Sequence, residues 1–241
     1  MVRQKIDINC DLGEGFDNEP ELMPFIQSCN IACGGHAGDV VTMEKVVKLA
    51  MQNNVHIGAH PSYPDKGNFG RKSIIMNEQD FKNIIQNQVN SLQEIINKLG
   101  RTLYHIKPHG ALYNDIFKDA ALAHQFLNAV LPYKNFVKLI VPFNSEIEKI
   151  AIKNNFAIIY EAFADRSYNS DLSLVSRNKP NAVLTNLEEI LNQVKKIYFE
   201  QKVKSITGDI IPIKATTFCV HSDTPNAIEI VKYLHANLKF E

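Results

Sequence analysis

The stretch KIDINCDLGEGF, residues 5–16, decides the fold. Asp7, Asn9 and Asp11 share one parity and Ile6, Ile8 and Cys10 the other, the period-2 pattern of a strand. In an open parallel sheet helices cover both faces, so each face should be apolar. Three polar side chains on one face suit the wide mouth of a closed barrel instead. Past the strand, Gly13, Glu14 and Gly15 make an acidic loop at the end where parallel α/β folds gather their functional groups.

Outward from this strand, β-rich runs alternate with helical stretches. QSCNIAC (27–33), VHIGAH (55–60), LYHIKP (103–108), FVKLIV (136–141), FAIIYE (156–161) and TTFCVH (216–221) read as the further strands. Asp39 caps a helix whose Met43, Val46, Val47 and Ala50 form one apolar face. Asn77 opens a longer one with Phe81, Ile84, Ile85, Gln88, Leu92, Ile95 and Leu99 inward, ending at Gly100. Ser145 with Glu148 and Thr185 with Glu188 match capping boxes, and Thr224-Pro225 reads as the start of the last helix. Residues 203–215 read as a hairpin beside the sheet. The expected fold is an α/β, seven-stranded (β/α) barrel, one domain over residues 1–241.

Lys and Arg number 26, as do Asp and Glu, so no basic surplus points to nucleic acid. No apolar run has the length of a membrane span, and the first residues lack the apolar core of a signal peptide. Cys10, Cys29, Cys33 and Cys219 sit in apolar strand contexts without Cys-x-x-Cys spacing, which reads as buried reduced thiols. A cytoplasmic protein is expected.

The strand ends carry the chemistry. His36, His60, His109 and His221 fall at the same end of four different strands, beside Asp11, Glu14, Lys107 and Asp223. Any one histidine there is more often structural than catalytic, but scatter over both strand ends would be expected of structural residues alone. The set can supply a general base, a general acid and oxyanion stabilisation. It can equally hold one divalent metal ion through Asp and His. No His-Glu-x-x-His motif, P-loop or Gly-x-Ser-x-Gly elbow is present; Gly67 to Ser73 lacks the P-loop spacing.

Taken in order, DINCDLGEGF, NIACGGHAGD, GAHPSYPD with GNFGRK, KPHGALYN, EAFADRSY and CVHSDTPNA resemble the LamB/YcsF family, the A subunits of bacterial 5-oxoprolinase. The likeness runs from residue 7 to the last helix. Ser222, Asn181, Asp17 and Lys72 depart from its usual pattern. The resemblance implies a barrel of the glycoside hydrolase/deacetylase type and ATP-dependent opening of 5-oxo-L-proline to L-glutamate with separate B and C subunits. For that reaction Asp11 or His109 is the expected general base and Lys107 the group stabilising negative charge. His36 and His60 would orient substrate or a metal, and Arg71 or Arg166 would bind the substrate carboxylate. A salt bridge of Arg166 to Asp165 or Glu161 is the structural alternative. Asp7, Asn9, Glu14, His221 and Asp223 complete the expected substrate-binding set. Two other readings fit the same side chains: a stand-alone metal-assisted amidohydrolase or deacetylase, and a non-catalytic metabolite-binding subunit.

Overall fold

The computed structural model describes residues 6–238; Lys5, at the head of the first expected strand, lies outside them. The parity of the opening stretch is realised in β1 (Asp7–Leu12). Ile8, Cys10 and Leu12 join the apolar core. Asn9 and Asp11 point the other way and hydrogen-bond to side chains from strands across the interior. The strands β2 (Ser28–Ala32), β3 (His56–His60), β4 (His105–Ile106), β5 (Lys138–Pro142) and β6 (Ile158–Phe163) follow in parallel register. A short hairpin, β7 (Lys202–Lys204) with β8 (Ile210–Pro212), stands apart from them, as the sequence indicated. The strand β9 (Thr217–His221) then pairs with both β6 and β1, closing a seven-stranded barrel.

The helices α1 (Glu19–Leu22), α2 (Val40–Gln52), α3 (Glu78–Lys98), α4 (Gly110–Lys118), α5 (Ala120–Val130), α6 (Glu146–Lys153), α7 (Leu187–Glu200) and α8 (Ala227–Asn237) complete the alternation. Their apolar faces are those the 3.6-residue period picks out. Met43, Val46, Val47 and Ala50 of α2 are buried. In α3, Phe81, Ile85, Gln88, Leu92 and Ile95 are buried, whereas Ile84 and Leu99 are half-buried. Asp39, Asn77 and Ser145 cap their helices by accepting the backbone N–H three residues on. Among the described residues no helix is long and apolar enough to cross a membrane.

Two helix starts differ from expectation. The cap of α7 is Asn186, which accepts from the Glu189 amide, one residue beyond Thr185. Asn shares the capping chemistry of Thr, so neighbouring candidates compete and chain geometry chooses. Before α8 the last residue is Asn226, in the left-handed conformation at φ 63°. Thr224 is instead turned inward, where its hydroxyl donates to Asp165.

The barrel interior is layered. At its closed end Asp7 accepts from Ser28 Oγ at 2.9 Å and from Thr217 Oγ1. Above it Asn9 donates to Thr217 and Glu161, and accepts from Asn30 at 2.7 Å. His105 Nε2 meets Asn30 Oδ1 at 2.6 Å. That ring has room only because β3 carries Gly58 opposite: a Cβ there would stand 2.0 Å from His105 Nε2.

Candidate active site

A pocket of about 550 Å³ opens at the C-terminal ends of the strands, walled by the loops after β1, β3, β4, β6 and β9. Its floor is the buried ammonium of Lys107. Nζ lies 2.9 Å from Asp11 Oδ1, 2.9 Å from Glu161 Oε1, 3.3 Å from Asn9 Oδ1 and 3.1 Å from Cys219 Sγ. Burial opposes the charge on Lys107, but Asp11 first, then Cys219 and Glu161, hold its pKa well above the ordinary lysine value. Burial likewise opposes ionisation of Asp11, and His60 and Lys107 reverse it, keeping that carboxyl well below the usual range. The result is a lysinium with two carboxylates in a desolvated floor. Breaking such a pair is expensive, because the remaining charge is stranded.

Beside Asp11 lies an imidazole cluster. His60, the last residue of β3, follows a strand that continues into Pro61. The chain after β4 runs alongside, with the His109 amide donating to Pro61 O. Pro108 precedes His109 and Gly110 starts α4, so the two rings meet where both strands give out. His60 Nδ1 donates to Lys107 O at 2.7 Å and His109 Nε2 donates to Phe69 O at 3.0 Å. Their other nitrogens, His60 Nε2 and His109 Nδ1, face each other at 3.0 Å. Glu14 Oε1 stands 3.4 Å from His109 Nδ1 and 3.9 Å from His60 Nε2. It also contacts His36 Nε2 at 2.8 Å. His36 stacks on His109 with ring centroids 3.6 Å apart. Burial, then neighbouring imidazoles, holds His36 neutral with a pKa of about 2, and pushes His109 well below its ordinary value. Burial, reinforced by Asp11, lifts Glu14 to about 7. Gly70, at φ 62°, lets the Arg71 loop close over these rings: a Cβ there would lie 2.9 Å from His36 Cβ.

The opposite wall holds a second arrangement. Asp165 accepts from the His221 amide at 3.0 Å and contacts His221 Nδ1 at 3.0 Å, with Thr224 on the same carboxylate. Burial would raise the Asp165 pKa, but His221 and these hydrogen bonds lower it. The bond fixes the His221 tautomer with its Nε2 free, and Phe163 stacks against the ring at 5.2 Å. At the rim, Asp223 joins Arg71 Nη2 at 2.5 Å to Arg177 Nη1 and Nη2 at 3.1 and 3.2 Å. This bridge ties the loop after β3 to the loop after β6.

Of the residues singled out from sequence, Asp11, Glu14, His60, Arg71, Lys107, His109, Arg166, His221 and Asp223 line the pocket. Asp7 and Asn9 do not; they lie deeper in the interior and bond to other side chains. His36 is buried behind Glu14. Arg166 forms neither expected salt bridge. It donates to Val175 O at 2.6 Å and Ala182 O at 3.2 Å, holding the loop before α7. Arg177, given no role from sequence, is on the rim. Glu161, read only as a partner for Arg166, is a ligand of Lys107. Parity within its strand was the available signal, but the partner across the barrel was not visible. Among the described residues, two groups have metal-ligating atoms within 4.8 Å of one another: Glu14, His36, His60 and His109, and Asp11, Cys219 and His221.

Residues 6–241 match the sequence model of the LamB/YcsF family. The chain belongs to the LamB/YcsF family. It is 43% identical to the 5-oxoprolinase A subunit of Thermococcus sibiricus, over 98% of this chain and 95% of the relative. It is 41% identical to that of Vibrio cholerae, over 99% of each. The lactam utilization protein from Thermus thermophilus superposes with a TM-score of 0.88 at 30% identity, over 96% of this chain and 95% of that one. Within this LamB/YcsF chain, then, the polar mouth sits on a scaffold shared with solved and curated relatives over nearly its whole length.

Proposed function

We propose that this pocket opens the ring of 5-oxo-L-proline to L-glutamate, as the A subunit of an ATP-dependent 5-oxoprolinase completed by B and C subunits. The observation that carries the reading is the meeting, in one pocket, of the Lys107–Asp11 charges with the Asp165-oriented His221, in a chain akin to proteins named for that reaction. A five-membered lactam is a stabilised amide, so its carbonyl must be activated before water attacks, and ATP can do this by phosphorylating the lactam oxygen. The protein must then move protons and balance a developing oxyanion.

His221 is well placed for proton transfer, because Asp165 fixes its Nδ1–H and leaves Nε2 as an acceptor on the pocket wall. Asp11, held ionised, is the second acceptor. His109 is less available, because its bare nitrogen faces His60. The N–H groups of Lys107 are already taken up by its partners, so it stabilises an oxyanion by exchanging one of them for the substrate oxygen. Arg71 and Arg177 suit the substrate carboxylate, for which Asp223 acts as the placeholder. The pocket volume lies in the range of small-molecule sites and exceeds what one lactam fills, which suits a second reactant.

The test is glutamate release from 5-oxoproline and ATP, with and without the B and C partners. Release that requires this chain, and that falls by roughly 10²–10⁴-fold in His221→Ala, is the expected result. No release from the complete mixture would refute the reading.

A further inference from the structure

The imidazole cluster contains a contradiction that hydrogen bonding among its members does not resolve. A backbone carbonyl only accepts, so His60 must carry its proton on Nδ1, facing Lys107 O, and His109 on Nε2, facing Phe69 O. In the neutral rings that leaves His60 Nε2 and His109 Nδ1 as two lone pairs pointed at each other across 3.0 Å. Both rings are buried, and two carboxylate oxygens, further acceptors, stand beside them. Glu14 Oε1 lies 3.4 Å from His109 Nδ1 and 3.9 Å from His60 Nε2, and Asp11 Oδ2, whose carboxylate is already paired with Lys107, lies 3.4 Å from His60 Nε2. With the rings neutral, acceptors converge there without a donor between them, the arrangement that ligands take around a cation, and of the two carboxylates Glu14 is the one that lies near both nitrogens.

We propose that His60 Nε2, His109 Nδ1 and Glu14 Oε1 are the protein ligands of one divalent transition-metal ion of the zinc type. The dimensions agree. The nearest point equidistant from the three atoms, in their plane, lies about 2.0 Å from each, and an ion slightly above that plane stays close to the bond range of zinc to imidazole and carboxylate. Two imidazoles and one carboxylate with an open fourth position is a catalytic donor set, and its nitrogen content favours zinc-like ions over calcium or magnesium. All three ligands line the pocket, so the open position faces substrate.

The outward hydrogen bonds supply the orienting shell such sites use. Two backbone carbonyls fix the imidazole tautomers, and His36 Nε2 holds the Glu14 oxygen at 2.8 Å. His36 itself is excluded from the ligand set. Its ring is parallel to that of His109, 3° apart in plane and 3.6 Å between centroids, so the two in-plane lone pairs cannot converge on one ion. The role of the ion in ring opening, polarising the lactam oxygen or the attacking water, rests on the proposed function. The binding site does not.

The test therefore uses the full chain alone, without substrate, ATP or partner subunits. Calorimetric titration of the chelator-treated protein with Zn²⁺, and the visible spectrum of its Co²⁺ form, should give one ion per chain in a tetrahedral field. Glu14→Gln and His60→Ala should each weaken binding at least 100-fold, and His36→Ala by about 10–100-fold, with thermal melts confirming that each variant folds. His221→Ala should bind as wild type does. Stoichiometric binding lost only in His221→Ala would move the ion to the Asp11–Cys219–His221 group and overturn the assignment. Binding of no ion would overturn it too, leaving a shared proton between His60 and His109. Either result leaves the glutamate-release assay free to succeed or fail by itself.

Discussion

The closed end and the mouth of this barrel are built from the same strands and the same parity, yet they satisfy their polar atoms differently. At the closed end Asp7 is met by a hydroxyl on each side, from Ser28 and Thr217, and none of the three lines the pocket at the mouth. At the mouth His36 Nδ1, Tyr113 Oη and Glu161 Oε2 are buried without a formed hydrogen bond, and His60 Nε2 faces His109 Nδ1 at 3.0 Å. Buried polar groups are normally saturated, so a cluster of exceptions marks the place kept for a ligand. The exceptions are not confined to the mouth, since His105 Nδ1, in the interior beside Asn30, has no hydrogen-bond partner either.

The contrast is broken most severely at Lys107. Lys107→Met strands Asp11 and Glu161 without their cation, and should destabilise the fold by about 3–5 kcal/mol in urea unfolding. A loss below about 1 kcal/mol would show that the floor is not a desolvated ion pair. Asp165→Asn tests the better-satisfied wall of the mouth. At neutral pH it should remove about 1.5–3 kcal/mol, as expected for hydrogen bonds to a charged group. Because the folded pKa of Asp165 is depressed, its contribution is present above the unfolded value of about 3.9 and is lost as pH falls through the folded pKa. Wild type and variant should therefore converge in acid, and a gap independent of pH would count against the assigned charge.

The smallest effect belongs to the closed end. Asp7→Asn should change stability by no more than about 1.5 kcal/mol and leave kcat/KM for the proposed ring opening unaltered. Here the sign with pH reverses. Burial raises the Asp7 pKa more than its hydroxyl partners lower it, so its contribution is complete below the unfolded value of about 3.9 and declines as pH rises through the folded pKa. Wild type should lose ground to the variant as pH rises from about 4. A large drop in kcat/KM would return Asp7 to the substrate site.

Much of this was legible in the linear chain because it is local. Alternation over Asp7 to Asp11 signals a polar barrel interior, apolar spacing gives the buried faces of α2 and α3, and Asp39, Asn77 and Ser145 mark the starts of α2, α3 and α6. The gathering of histidines at one end of the strands is also legible, since every parallel strand shares its direction. Depth is not. Asp7, Asn9 and Asp11 are equivalent by parity, and only closure of the barrel makes the first a plug, the second a brace and the third a pocket wall. Thr224 looks like a cap until Asp165, 59 residues earlier, takes its hydroxyl.

The sequence by itself determined the strand–helix alternation, the inward polarity and the end of the barrel at which the histidines gather, because these follow from interactions a few residues long. Only the tertiary structure decided which polar atoms are satisfied. The partners that settle it, Asn9 with Glu161 across 152 residues and Lys107 with Cys219 across 112, meet solely because seven strands close into a ring.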